Sequence, residues 1–275
     1  MASVEDLVSI RAVEALEYPQ EVRGVLSFDF DGTLHVPTEN PPLSPAFFEK
    51  VQQLREEGWI WGINTGRSLP QMIDGFGFGK FPFYPDFLVA REREIFTPGQ
   101  FGRWVPVEAW KKKSAKDHKR FYRQTKKFLK EVEEFVDYET DAEWIEEENG
   151  DTGVISTTIE EMQRIVDYIE KHRGKYEMLG YLRNTIYLRF SHVDYHKGTA
   201  LQEVARLAGV DKQHVFVIGD GHNDLDKLHP DVAGMIACVG NADEVVKEHV
   251  REQGGYVAEG IGSLGTIEAL EHFLS

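Results

Sequence analysis

The stretch that most constrains this chain is Val22 to Phe30, an apolar, β-prone run that ends in two acids and a glycine, Asp29-Phe30-Asp31-Gly32. A run of that length and composition reads as a buried strand of a parallel sheet. Side chains two apart on a strand share a face, so Asp29 and Asp31 are expected side by side at its carboxyl end. In open α/β sheets that end is where ligands bind. Two carboxylates so close repel, and they call for a cation or a shared proton. An Asp-Gly turn that merely ends a strand is the plainer alternative.

Strand and helix patterns alternate on either side of a long middle segment. Ser44-Pro45 starts a helix whose stripe is Phe47, Phe48, Val51 and Leu54, and Gly58 stops it. Trp59 to Asn64 and Phe87 to Ala90 read as further strands, with a helix from Ser68 and Pro70 between them. Alternation returns at Lys197 with a helix to Ala208, a strand from His214 to Ile218, another from Ala233 to Val239, and helices over Asp243 to His249 and Gly262 to Phe273. Val4, Leu7 and Val8 suggest an amphipathic helix ahead of the first strand. This is an α/β pattern: a doubly wound, Rossmann-like parallel sheet core over residues 1–105 and 191–275, with an α+β cap domain inserted at 106–190. In the insert, Trp110 to Lys130 holds ten Lys or Arg and one acid, while Glu131 to Gly150 holds ten acids and no base. Phe121, Phe128, Val132 and Phe135 keep helical spacing across that junction. A solvated helix neutralised by neighbouring acids is favoured over a basic face that draws an anionic substrate.

Composition narrows the function classes. A formal charge of −16 over 275 residues argues against a generic nucleic-acid or anionic-membrane binder. The lone Cys238 excludes an internal disulfide and fits a reducing compartment, and the first residues lack the basic-then-apolar pattern of a secretory signal. A cytoplasmic location is the expectation, with no membrane span.

Three more clusters fall at strand or helix ends: Asn64-Thr65-Gly66, Lys197, and Gly219-Asp220-Gly221-His222-Asn223-Asp224. Each alone has an ordinary explanation. On one sheet edge they assemble Asp29, Asp31, Asp220 and Asp224 for a hard cation, and Thr65 with its backbone and Lys197 for an anion. Carboxylate-rich oxygen coordination paired with phosphate is the habit of Mg²⁺.

Asp29-Phe30-Asp31-Gly32-Thr33, Thr65-Gly66-Arg67, Lys197-Gly198 and Gly219-Asp220 through Asn223-Asp224 resemble the four ordered motifs of the haloacid dehalogenase (HAD) superfamily. The long insert between the second and third resembles its Cof-type, C2-capped (type IIB) phosphatases. One departure is Ala90-Arg91-Glu92-Arg93-Glu94, which lies where that branch often has Asn-Gly-Ala. The resemblance implies an Mg²⁺-dependent phosphomonoester hydrolase acting on a small phosphorylated metabolite such as a sugar phosphate, with no nucleic-acid or membrane partner. It implies Asp29 as the nucleophile that forms an aspartyl-phosphate and Asp31 as general acid and base. Mg²⁺ would be held by Asp29 and Asp220 carboxylates and the Asp31 carbonyl, with Asp224 nearby or water-linked. Asp31, Gly32, Thr65, Gly66, Lys197 and Asn223 would bind the phosphate, Asn223 also orienting Lys197. Arg67, Arg91 and Arg93 are candidate substrate contacts at the pocket mouth. One alternative uses the same motifs, a phosphoryl transferase or mutase; a second, a non-catalytic phospho-ligand-binding module on the same fold, is disfavoured by the intact Asp29, Asp31, Lys197 and Asp220.

Overall fold

The computed structural model describes residues 18–147, 150–174 and 176–274, so the expected helix over Val4, Leu7 and Val8 lies outside the described residues. The strands are β1 Gly24–Phe28, β2 Trp59–Asn64, β3 Phe87–Ala90, β4 Glu94–Pro98, β5 Trp104–Pro106, β6 Glu143–Glu146, β7 Thr152–Ile155, β8 Leu179–Asn184, β9 Tyr187–His192, β10 Val215–Gly219, β11 Met235–Cys238 and β12 Tyr256–Val257. The helices are α1 Pro45–Glu56, α2 Leu69–Phe78, α3 Glu108–Glu139, α4 Ile159–His172, α5 Lys197–Ala208, α6 Glu244–Glu252 and α7 Gly262–Leu274. The chain folds as two compact units: one runs up to Val107 and resumes over Lys197–Ser275, and the other is Glu108–His196.

The first unit is built on an eight-stranded sheet in the order β12-β11-β10-β1-β2-β3-β4-β5. From β12 to β3 all neighbours are parallel, while β4 and β5 are antiparallel additions at one edge. The sheet is therefore mixed and not wholly parallel. The hairpin strands β4 and β5 escape a sequence reading because Glu94, Thr97 and the prolines Pro98 and Pro106 break the apolar run that marks an interior strand. Strands β1, β2, β3 and β10 are buried at every position, as strands covered on both faces must be.

Glycine at two positions lets aromatic rings lie across the sheet. Gly24 pairs with Trp59, and a Cβ at Gly24 would stand 2.1 Å from that indole. Gly62 pairs with Phe87, whose ring would lie 2.4 Å from an added Cβ. On one face Phe28 meets Phe47 of α1 edge-on at 5.1 Å, and Trp61 stacks near Phe81 at 6.2 Å. Pro45 opens α1, and Gly58, at φ 95°, turns the chain into β2 just beyond its end.

Strand order reverses between β1 and β10. From β1 the chain moves outward through β2 and β3, and from β10 it moves the other way through β11 and β12. The carboxyl ends of β1 and β10 therefore flank a switch point, where adjacent crossovers diverge and leave a crevice. Asp29 follows β1 directly, and Asp220 follows β10 directly.

In the second unit a four-stranded antiparallel sheet, β6-β7-β9-β8, packs with α3 and α4. Its core includes Phe121, Phe128, Val132, Val136, Ile165, Ile169, Leu188 and Phe190. The single helix α3 carries the basic run and the first part of the acidic one, as far as Glu139, its apolar stripe turned inward and its lysines outward. Strand β6 sits inside the acidic run and β8 after it, and neither shows the apolar alternation that would reveal it. Among the described residues no helix is long and apolar enough to cross a membrane.

Beneath the aromatic cluster, Arg55 of α1 reaches both oxygens of Asp86, at 3.0 and 3.1 Å, and the Trp61 amide donates to the same carboxylate at 3.0 Å. Both side chains are buried. Asp86→Ala takes a bidentate counter-charge from a buried guanidinium and an acceptor from the Trp61 amide, so it should cost roughly 3–5 kcal/mol in urea unfolding. A loss below about 1 kcal/mol would show that the pair is dispensable to the core.

Candidate active site

Asp29 is the first residue after β1 and is 5% exposed. Its Oδ1 lies 3.1 Å from the Nζ of Lys197, the first residue of α5. Lys197 is 1% exposed, and its Nζ also donates to Asp224 Oδ1 at 2.7 Å. The Asn64 side chain fixes the start of α5 by donating to the Lys197 carbonyl at 2.9 Å. A second lysine, Lys227, reaches the same Asp224 oxygen at 2.8 Å and is fully buried. The other Asp224 oxygen accepts the Asp220 and Gly221 amides, at 3.0 and 3.2 Å.

Asp220 is held by the Thr33 hydroxyl, which donates to Oδ1 at 2.6 Å. Its other oxygen sits against Gly32, whose φ is 75° and where an added Cβ would come within 2.1 Å. Glycine at position 32 is thus required twice, by the backbone and by the space the carboxylate fills. Asn241 ties this turn to α7: its Nδ2 donates to the Gly32 carbonyl, and its Oδ1 accepts from the Gly262 amide.

The result is three carboxylates and two ammonium groups in a buried cluster. Asp29, Asp220 and Asp224 each place one oxygen within 4.8 Å of the others. Burial, together with the Asp224 charge, pushes Asp29 up to about 6, and burial with Asp29 and Asp224 pushes Asp220 up to about 8. Burial alone would raise Asp224 too, but Lys197 and Lys227 outweigh it and hold that carboxyl well below the usual carboxylate range. Lys197 is held protonated because Asp224, Asp29 and Glu92 overcome its desolvation, whereas burial lowers Lys227 despite Asp224. The cluster carries one acid more than its lysines offset. The donor set fits a divalent cation: Asp29 and Asp220 keep oxygens for it, while both Asp224 oxygens are taken by lysines and amides. Asp224 therefore serves as the anchor of the lysines.

Other expected residues have different surroundings from those the spacing suggests. The strand ends at Phe28, so its alternation does not extend to the acids, and Asp31 does not share the Asp29 environment. Asp31 is exposed and takes a two-pronged ion pair from Arg67, at 2.7 Å from Nε and 2.6 Å from Nη2. The same guanidinium lies 5.0 Å over the Phe30 ring, so Arg67 engages both Asp31 and Phe30. Thr65 is buried, its amide is spent on the Val89 carbonyl, and its hydroxyl oxygen accepts from the Arg67 amide. Of the Thr65 donors expected for an anion, only the hydroxyl proton stays outside the sheet. Arg93 lies in the interior and Arg91 is half-buried. Asn223, expected to orient Lys197, gives its Nδ2 to Glu92 Oε1 at 2.8 Å, and the Lys197 ammonium is oriented by Asp224 and Asp29.

The sequence assigns no role to Lys227, Thr33, Asn241 or Glu92, although Thr33 lies in the first motif and Glu92 in the departure after β3. Lys227 follows Asp224 at i+3 on a helical turn, which is a readable signal for an ion pair. The Thr33 and Asn241 contacts join segments far apart in sequence, and no local pattern announces them.

The haloacid dehalogenase-like hydrolase family matches over residues 86–262, and the chain belongs to that family. The phosphoglycolate phosphatase of Archaeoglobus fulgidus is 38% identical over 78 residues, which cover 28% of this chain and 32% of that protein. The chain thus spans about a third of the length of the curated relatives it matches. Among solved structures, the sucrose-phosphatase of Synechocystis sp. PCC6803, in complex with sucrose and phosphate, superposes with a TM-score of 0.70 at 15% identity, covering 92% of this chain and all of that one (100%). The HAD subclass IIB sugar phosphatase BT4131 gives 0.57 at 18% identity, covering 91% of this chain and 98% of that one. At such identities these two likenesses establish the shared fold.

Because the folded values of Asp29 and Asp220 lie above their unfolded ones, the native state holds extra protons between them. Stability of the cation-free protein should therefore fall as pH rises from about 5 to about 8. Mg²⁺ should raise Tm more at about pH 8 than at about pH 5, since only ionised carboxylates take the ion. A larger shift at the lower pH, read by differential scanning calorimetry, would contradict this cluster as the cation site.

Proposed function

We propose that the protein is a phosphomonoester hydrolase that works through an aspartyl-phosphate on Asp29. The observation that carries this reading is the single buried cluster in which Lys197 bridges Asp29 and Asp224 while Asp220 stands within reach of a common cation. A binding module would need the lysine and a cation site, but not a buried acid aimed at the bound phosphate as well.

Asp29 attacks phosphorus in line with the leaving oxygen, and the phosphoryl group passes to its carboxylate. Lys197 and the Thr65 hydroxyl hold the non-transferring oxygens, their positions set in advance by Asp224 and by the sheet. Asp31 protonates the leaving oxygen and then takes a proton from the water that cleaves the acyl phosphate. To do so its carboxylate must part from Arg67, an exchange open to it because that pair is exposed. Asp29 and Asp220, with the Asp31 carbonyl, would hold Mg²⁺, which supplies the positive charge that lets one anion approach another.

The substrate is a small phosphorylated metabolite. A sugar phosphate is favoured by the likeness in fold to sugar-phosphate phosphatases, and phosphoglycolate is the competing candidate from the curated relatives. The buried Cys238 accords with work in the cytoplasm.

With p-nitrophenyl phosphate and Mg²⁺, Asp29→Asn should keep its thermal unfolding profile and lose turnover by at least about 1,000-fold. Turnover near the wild-type rate would remove Asp29 as nucleophile. Asp220→Asn should raise the Mg²⁺ concentration for half-maximal rate by about tenfold or more, and an unchanged requirement would exclude Asp220 from the ion's shell. Phosphate released without an added acceptor marks a hydrolase, and phosphate release only with an added sugar acceptor marks a transferase.

A further inference from the structure

The turn between β3 and β4 is built against its own backbone preference. Arg93 N donates to the Ala90 carbonyl at 3.1 Å, and the two residues between them both have positive φ, Arg91 at 49° and Glu92 at 64°. Those are the signs of a type I′ hairpin turn, for which Asn-Gly is the unstrained pair. L-residues with longer side chains pay backbone energy at both positions, and such strain persists where the surroundings over-determine it.

The surroundings here are the phosphate-side loops. Arg91 N donates to the Arg67 carbonyl at 2.8 Å and Glu92 N to the Thr65 carbonyl at 2.9 Å, so the turn is sewn along Thr65–Arg67. The Glu92 side chain is 4% exposed, and its Oε1 accepts from Asn223 Nδ2 at 2.8 Å. A Cβ placed on Gly66 would lie 3.5 Å from that oxygen and 3.9 Å from the Asn223 nitrogen. Asn223 immediately precedes Asp224, the acid that grips Lys197. Glu92 is also among the charges that keep Lys197 protonated. The strained turn therefore delivers one carboxylate to the junction of the two loops that hold a phosphate.

We infer that Glu92 is a positioning residue: through its hydrogen bond to the Asn223 amide it fixes the His222–Asp224 segment against Thr65–Arg67 and so sets the Lys197 ammonium for the phosphoryl group. The charge of Glu92 by itself opposes anion binding, so loss of the charge and loss of the hydrogen bond have opposite signs. Glu92→Gln keeps an acceptor for Asn223 and removes the charge. Glu92→Ala removes both.

The test reads kcat/KM with p-nitrophenyl phosphate and, separately, the affinity for inorganic phosphate by calorimetry. Only the turnover arm rests on the phosphatase reading. Glu92→Gln should stay within about threefold of wild type in turnover and bind phosphate as tightly or more so, while Glu92→Ala should lose about tenfold in both. In an Asn223→Ala background the same Glu92→Ala change should cost at least about threefold less than it does in wild type, since the bond to Asn223 is already gone. Should Glu92→Ala fail to fold, Asn223→Asp serves instead. It sets two acceptors against each other, should lose about tenfold, and should recover when combined with Glu92→Gln, whose amide restores the pair in reverse.

Equal losses from Glu92→Ala in both backgrounds, a Glu92→Gln as damaged as Glu92→Ala, or no recovery in the paired variant would overturn the inference. A wild type that binds phosphate without turning over ester would sink the phosphatase reading and leave the affinity arm to decide on Glu92. A wild type that does neither would overturn both.

Discussion

Two buried carboxylates and one half-buried one lie within a few ångströms of one another, and most of what surrounds them offsets that cost. Removing an isolated carboxylate from water is far too expensive for a fold of ordinary stability to bear. The chain meets the cost with Lys197 and Lys227, with two amides of the turn after β10, and with the Thr33 hydroxyl. These offsets are unequal. Asp224 is satisfied outright, whereas burial and the neighbouring acids push Asp29 and Asp220 up, so each favours a proton or a cation to offset its charge.

Topology explains why the acids meet. Asp29 and Asp220 are 191 residues apart in the chain, yet β1 and β10 are neighbours, paired from Val25–Val215 to Phe28–Ile218. Adjacent parallel strands in that register end side by side, so the residues that follow them are juxtaposed without further instruction. The reversal of strand order at this point keeps crossovers from covering them. Packing then holds the ends still: Gly24 and Gly62 admit the rings of Trp59 and Phe87, and α5 begins with a lysine whose carbonyl is tied to Asn64. Small shifts here would matter, because preorganised charge acts through geometry.

Much of this was readable from the residues. Fully buried strands that read as apolar runs, such as Trp59–Asn64 up to its last residue, and helices with clear stops, such as Lys197–Ala208, declare themselves, and the polar clusters at their ends mark the site. What escaped has physical reasons. Strands β4, β6 and β8 sit at edges or in charged stretches where one-face burial leaves no apolar run. Both acids lie beyond the strand's last residue, Phe28, so periodicity could not say that Asp31 would turn outward to Arg67 while Asp29 turned in. Lys227 and Asn241 contribute through contacts that only the folded chain creates. Glu92 was visible as an oddity, a charged turn after a buried strand, but its partner Asn223 is 131 residues away.

The account rests on the claim that the excess negative charge of this cluster is a cation site shared by β1 and β10. Anomalous scattering from a crystal grown with Mn²⁺ tests it most directly. The claim predicts one strong peak bonded to oxygens of both Asp29 and Asp220, at inner-sphere distances of about 2.1 Å, with the Lys197 ammonium beside it and Asp224 outside the first shell. A peak bound elsewhere, or none at saturating Mn²⁺ with the cluster well ordered, would contradict it.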